Sequence, residues 1–240
     1  LSDTDTRIEY NTLINRLKSL ANADNVTGMA RFGISSANTL GVSVKDIRPL
    51  AKSAGHNHAL ALLLWDSGIH EARIMASLIA ESKKVSQEEM ESWVKDLDSW
   101  DICDLCCNNL WSKTPFAYEQ ALAWTYRREE YVKRAGFVLL TALAVHDKKA
   151  GDEKFIFFFP RLLAEASDER NYVKKAVNWA LRQIGKRNLS LNQAAIALGQ
   201  EILDLNTRSA RFIATDALRE LKSPQVQKRL AIKQEKQPHS

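Results

Sequence analysis

The chain has 240 residues, with 34 Lys+Arg against 29 Asp+Glu for a formal charge of +5, and it is 45% hydrophobic and 26% charged. These values exclude a disordered chain and supply apolar material for one large domain or two small ones without disulfide or metal staples. Nine Gly and five Pro are too few for the many tight turns of a β-sandwich or barrel.

In chain order, Ile8, Leu13, Leu17 and Leu20 mark a first amphipathic helix, and a turn-rich stretch follows from Gly33 to Gly41. Val44–Ala54 reads as the next helix. Helical periodicity then recurs over 57–66, 70–81, 86–96, 99–111, 115–127, 130–145, 152–166, 169–186, 190–203, 207–221 and 224–234. Only Phe155–Phe159 has the composition of a strand, and a lone strand has nothing to pair with. The expected class is all-α.

No apolar run reaches the ~18 residues of a membrane span, and Leu1–Thr6 is polar and acidic, unlike a secretory leader. Cys103, Cys106 and Cys107 are an odd, clustered set that suits no disulfide framework, which points to a reducing, cytoplasmic setting. The positive charge is concentrated at the end. Lys222, Lys228, Arg229, Lys233 and Lys236 face Glu235 alone, so the rest of the chain is nearly neutral.

Four segments align: HEARIMASLIA (70–80), YVKRAGFVLLTAL (131–143), YVKKAVNWALRQI (172–184) and RSARFIATDALREL (208–221). Each starts polar, carries an early cation (Arg73, Arg134, Lys175, Arg211) and continues as an apolar helix, with steps of 61, 41 and 36 residues. The first step is two repeats long, with the helix 99–111 midway. Such spacing predicts stacked antiparallel helix pairs, a HEAT-like solenoid over 1–222, with 223–240 as a C-terminal helix end and basic tail. Inner helices line the concave face of a solenoid, so the early cations predict a basic groove able to follow a phosphate backbone. The alternative is that they are solvated or paired with neighbouring carboxylates.

One inner helix breaks the row by carrying Asp104 in place of the cation. Asp101, in the first turn, is accounted for by the helix dipole, but Asp104 lies beyond it. Helical spacing groups Trp100, Asp104, Cys107 and Trp111 on one face. A carboxylate there needs either a partner cation, such as Arg134, or a chemical task. On the helix 169–186, Lys175, Trp179, Arg182 and Lys186 share a face, which suits an aromatic ring that stacks on a base amid phosphate contacts, or a core tryptophan flanked by solvated charges.

The segments SWDICDLC (99–106), YVKRAG (131–136), YVKKAVNWALRQ (172–183), GMARFGI (28–34) and LGVSVKDIR (40–48) resemble the AlkD family of DNA alkylation repair enzymes over most of the chain. The resemblance implies a HEAT-like DNA glycosylase that excises cationic alkylated purines such as 3-methyladenine and 7-methylguanine from duplex DNA, as a monomer with no metal or organic cofactor. It implies Asp104 as the catalytic carboxylate, Trp100 and Trp179 as aromatic walls around the lesion, and Arg134, Arg182 and Arg48 as DNA contacts, beside Lys175 and Arg211 of the basic row. Phe32 stands where the family often has Tyr, and Ala142 where it has a basic contact. These changes remove a hydroxyl and a charge, and so bear on substrate range and affinity.

The reaction suits a single acid. A cationic purine is already a good leaving group, and the sugar turns oxocarbenium-like as it departs, so one carboxylate can stabilise the charge and orient water. The rival reading is a non-catalytic helical-repeat protein that binds DNA structures or a protein partner in its groove. His56, His58 and His70 could coordinate a metal, but they lack a carboxylate at ligand spacing, and the Cys cluster lies on a helix without a second ligand pair. The stretch GISSANTLG (33–41) could offer backbone N–H groups to a phosphate or be a plain connector.

Overall fold

The computed structural model describes residues 3–235, which form helices, one 3₁₀ turn and connecting loops, with no strand among them. They divide into two compact units, one ending at Ala117 and the other beginning at Tyr118. No helix among the described residues is long and apolar enough to cross a membrane. Residues 236–240 of the expected basic tail and the first two residues of the expected polar start lie outside the described residues.

The first unit contains α1 (Asp3–Ser19), α2 (Ala23–Arg31), α3 (Val44–Ala54), α4 (His58–Asp66), α5 (His70–Ile79), α6 (Gln87–Lys95) and α7 (Trp100–Asn109), followed by a 3₁₀ turn at Trp111–Lys113. Local chemistry sets several starts: Asn22, Ser43 and Asn57 accept the backbone N–H of the residue three ahead, and Ser86 and Glu89 form a capping box. α3 ends at Gly55 with φ +70°, a conformation that favours glycine. α1 packs on α4, α3 and α4 pack on α5, and α5 packs on α7. Leu17, Ile47, Leu60, Leu64, Met75, Ile79, Ile102 and the three cysteines form the buried core, each large aliphatic side chain stabilising by about 1.5–3 kcal/mol.

Partners across this unit recur at a fixed distance in sequence. Trp65 Nε1 donates to Asp96, His58 meets Glu89 and His70 meets Asp101, every pair 31 residues apart. That is the step at which Asp104 follows Arg73, so the period seen in the sequence is a repeat of contacts. Trp65 and Trp93 stack with centroids 4.0 Å apart.

The second unit contains α8 (Ala117–Thr125), whose first residue closes the first unit, α9 (Glu130–His146), α10 (Glu153–Ile156), α11 (Phe159–Glu165), α12 (Asn171–Gly185), α13 (Leu189–Asp204), α14 (Arg208–Leu221) and α15 (Pro224–Glu235). α9 packs on α12, and α12 packs on α13 and α14. Gly136 allows α9 to lie against the α8 backbone, since a Cβ there would come within 2.7 Å of Thr125 N and 2.9 Å of Ala121 O. Asn178 and Asn192 tie helices together by donating to Ile213 O at 3.1 Å and Gly185 O at 2.9 Å.

Three expectations are corrected in detail. α2 falls where no helix is expected, because it is short, its apolar stripe is limited to the half-buried Val26 and Met29, and Gly28 weakens the helical signal. The single helix expected over 152–166 is two, α10 and α11, with Pro160 in the first turn of α11, where its missing N–H costs nothing. The helix expected to run to 111 stops at Asn109, and Leu110 turns the chain into the 3₁₀ segment.

Candidate functional site

α7 presents Trp100 and Asp104 one turn apart, both half-buried. The indole is held from outside its helix, where Trp100 Nε1 donates to Phe32 O at 3.0 Å, at the C-terminal end of α2. Phe32 itself is 74% exposed. The structure therefore brings together two of the expected aromatic residues, with one backbone bond fixing the plane of the indole. Asp104 takes Asn108 Nδ2 on its carbonyl at 2.8 Å. The rest of the expected face behaves differently: Cys107 and Trp111 are fully buried, so a ligand could approach this face only at Trp100 and Asp104.

The residue that sequence reasoning assigned to the helix dipole has another role. Asp101 Oδ2 lies 2.9 Å from His70 Nε2, and Asp101 Oδ1 accepts Ile102 N at 3.0 Å. His70 is 3% exposed. Burial opposes its protonation, but the hydrogen bond and charge of Asp101, with Glu71 and Asp98, outweigh burial and raise its pKa above the ordinary imidazole value. Asp101 shows the converse: burial favours the neutral acid, yet the bond to His70 and that residue's charge hold the carboxyl below its ordinary value. The signal in the sequence was the 31-residue step separating the two.

Next to His70, the fully buried Glu71 closes the loop that the sequence offered as a phosphate cradle. Its carboxylate accepts Leu40 N at 2.9 Å, Gly41 N at 2.7 Å and Val42 N at 3.1 Å. Those three donors are committed internally, so this part of the loop is a connector pinned by the protein's own acid. Gly41 adopts φ +79°, and a Cβ there would lie 2.1 Å from Asn22 O.

In the second unit the expected basic row divides. Arg134 is 5% exposed, lies over the Tyr172 ring at 6.0 Å and donates to Tyr172 O at 2.8 Å, so it is an interior guanidinium and not a surface cation. Arg182 bonds Glu220 at 2.7 Å and approaches Asp216 at 3.4 Å, while Lys186 takes the other oxygen of Glu220 at 2.7 Å. Burial works against the Glu220 anion, but these two cations prevail and lower its pKa. Lys175 and Arg211 are exposed as expected, Arg211 donating to Asn206 Oδ1 at 2.9 Å. Trp179 is half-buried, with its indole N–H 3.2 Å from the Gln183 side-chain amide.

Ala142, where the family resemblance places a cation, is fully buried in α9. In the first unit Arg73 is likewise a clamp, donating to Asp96 O at 2.9 Å with its guanidinium 5.2 Å from the Trp65 ring centre. Arg48 stands exposed on α3. No group of three His, Cys, Asp or Glu with metal-holding geometry occurs among the described residues. Burial, first of all, raises the Cys106 and Cys107 thiols well above their ordinary range, which suits small packed side chains.

A further cationic feature was not legible beforehand. Lys148, Lys186, Arg187, Arg229 and Lys233 surround a cavity of about 440 Å³, with Asp152 at its edge. The basic C-terminal segment thus folds back: Lys233 Nζ donates to the carbonyls of Lys186 and Arg187, both at 3.2 Å, at the end of α12.

Residues 13–221 match the model of a protein family described as DNA alkylation repair enzymes. No curated protein matches the chain. Among solved structures, one described as a new family of proteins related to the HEAT-like repeat DNA glycosylases, with affinity for branched DNA structures, aligns with a TM-score of 0.72 at 19% identity, covering 80% of this chain and 82% of that one. At that identity the likeness is one of fold, and it agrees with the helix pairs and the recurring contacts above. A family match running from α1 to the end of α14 makes this chain a member of the DNA alkylation repair enzyme family.

Proposed function

We propose that the chain is a DNA glycosylase that hydrolyses the N-glycosidic bond of cationic alkylated purines in duplex DNA. The observation that carries this reading is the pairing on α7 of a half-buried carboxylate, Asp104, with an indole one turn away whose orientation is fixed by a bond to Phe32 O, in a chain of this family. In the reaction the C1′–N bond breaks and its electrons neutralise the positive charge of the purine. Asp104 stabilises the positive sugar and orients a water, whose oxygen bonds C1′ while its proton passes to solvent. The Trp100 face favours a cationic base or sugar by about 0.5–2 kcal/mol.

In this reading the second unit supplies sequence-independent affinity. Trp179 offers a stacking face, Lys175 and Arg211 are exposed phosphate contacts, Arg48 does the same in the first unit, and Arg182 contacts DNA from its place beside Glu220. Arg134 contributes by holding the N-terminal part of α12.

The rival reading, binding of DNA structures without cleavage, draws on the affinity for branched DNA ascribed to the protein of similar fold. One experiment separates the two. Purified protein is incubated with methylated duplex DNA, and free purines are quantified by chromatography. Release of 3-methyladenine or 7-methylguanine that Asp104→Asn abolishes supports the glycosylase; branched-DNA binding with no release supports the rival.

A further inference from the structure

We propose that His70 is a positioning residue for Asp104, acting through Asp101 at the start of α7. The inference rests on the glycosylase reading above. α7 is ten residues long and its N-cap, Ser99, makes no side-chain capping bond. Its first turn is held from a distance instead. Asp101 is fixed on one oxygen by His70 Nε2 at 2.9 Å and on the other by Ile102 N at 3.0 Å. Trp100 is tied to Phe32 O at 3.0 Å.

The same end of α5 anchors the segment that leads away from Phe32. His70 N donates to Asn38 O at 3.0 Å, and Glu71 grips the N–H groups of Leu40, Gly41 and Val42. The contacts form a circuit: Phe32 to Trp100, Asp101 to His70, and His70–Glu71 back to the loop. Asp104 projects one turn beyond Trp100, so any rotation of α7 about its first turn moves the carboxylate. A displacement of about 1 Å at a reacting group can cost about 100-fold in rate. The charged groups acting on the imidazole are Asp101, Glu71 and Asp98, all of which favour its protonated form.

The test compares single-turnover excision of 7-methylguanine and affinity for undamaged duplex in the unsubstituted protein, His70→Leu, His70→Gln, Asp101→Asn and Asp104→Asn, across pH. His70→Leu should lower the excision rate about 10- to 100-fold with duplex affinity within about threefold. His70→Gln keeps an N–H donor for Asp101 and should recover most of the rate. Because Gln does not titrate, its rate relative to the unsubstituted protein should rise as pH passes above the imidazole range. A folded His70→Leu protein with full excision overturns the proposal. Should His70→Leu not fold, full excision by Asp101→Asn overturns it, as does an equal loss in His70→Gln and Asp101→Asn with no pH dependence of the ratio. Full excision by Asp104→Asn removes the carboxylate reading and this assignment with it; loss in Asp104→Asn alone removes only the role of His70.

Discussion

The two units lean on charge differently, although Arg73 of the first also holds a carbonyl. In the first, buried acids and a buried imidazole are spent on holding backbone: Glu71 on three loop N–H groups, and the Asp101–His70 pair on the first turn of α7. In the second, cations share the work. Arg134 and Lys233 hold carbonyls, Arg182 and Lys186 converge on Glu220, and Lys175 and Arg211 stay exposed. Residues that look equivalent in an aligned row therefore belong to different physical classes. A cation early in an inner helix is a DNA contact only if its neighbours leave it outside.

The largest effect that would sharpen this contrast is Asp104→Asn, expected to lower excision by about 10²–10³-fold while duplex affinity, measured by titration, barely changes. Next is Arg134→Ala, expected to cost about 3 kcal/mol of stability in a denaturant titration, since it empties an interior site and leaves Tyr172 O without that donor. A variant of normal stability that instead binds DNA less tightly would return Arg134 to the surface class. Glu71→Gln should cost about 2 kcal/mol, because an amide NH₂ would face a site built of N–H donors.

The Asp101–His70 pair gives a pH dependence whose sign is set by both partners. His70 has a raised pKa, so its contribution is complete below about 6.5 and is lost as pH rises through its folded value. Asp101 has a lowered pKa, so its contribution is complete above about 3.8 and is lost as pH falls through its folded value. The stability difference between the unsubstituted protein and His70→Leu should be largest between about pH 4 and 6.5 and should shrink toward alkaline pH. The smallest expected change is Lys175→Ala or Arg211→Ala: stability within about 0.5 kcal/mol of the unsubstituted protein, but a salt dependence of duplex binding flatter by about one phosphate contact each.

The helix pairs and their period were legible because both are written in short-range chemistry. Ser43 and Gly55 bracket α3 at the expected boundaries, and apolar spacing marks α9, α12 and α14. α2 was illegible because its nine residues carry only a narrow, half-buried face, Val26 and Met29, with Gly28 between them. Trp100 and Asp104 were visible as an anomaly in a repeated pattern. Their support was not, since His70, Phe32 and Glu71 act across 29 to 68 residues, where an acid in a first turn looks like any dipole partner. The fate of Arg134 was hidden too: nothing in YVKRAG distinguishes a guanidinium folded under Tyr172 from the outward Lys175 of YVKKAV.

The grip of Glu71 has a consequence for how this chain can vary. Because it clasps main-chain amides, the anchor itself does not read the side chains at 40 and 42, although burial keeps Val42 apolar, and Gly41, with its φ of +79° and a neighbouring oxygen 2.1 Å from any added Cβ, is locked in identity. Ser36 and Ala37, exposed and ahead of both that clasp and the Asn38 carbonyl that takes His70 N, are therefore free to vary in composition. Evolution can retune what this end of the molecule touches without loosening the frame behind it.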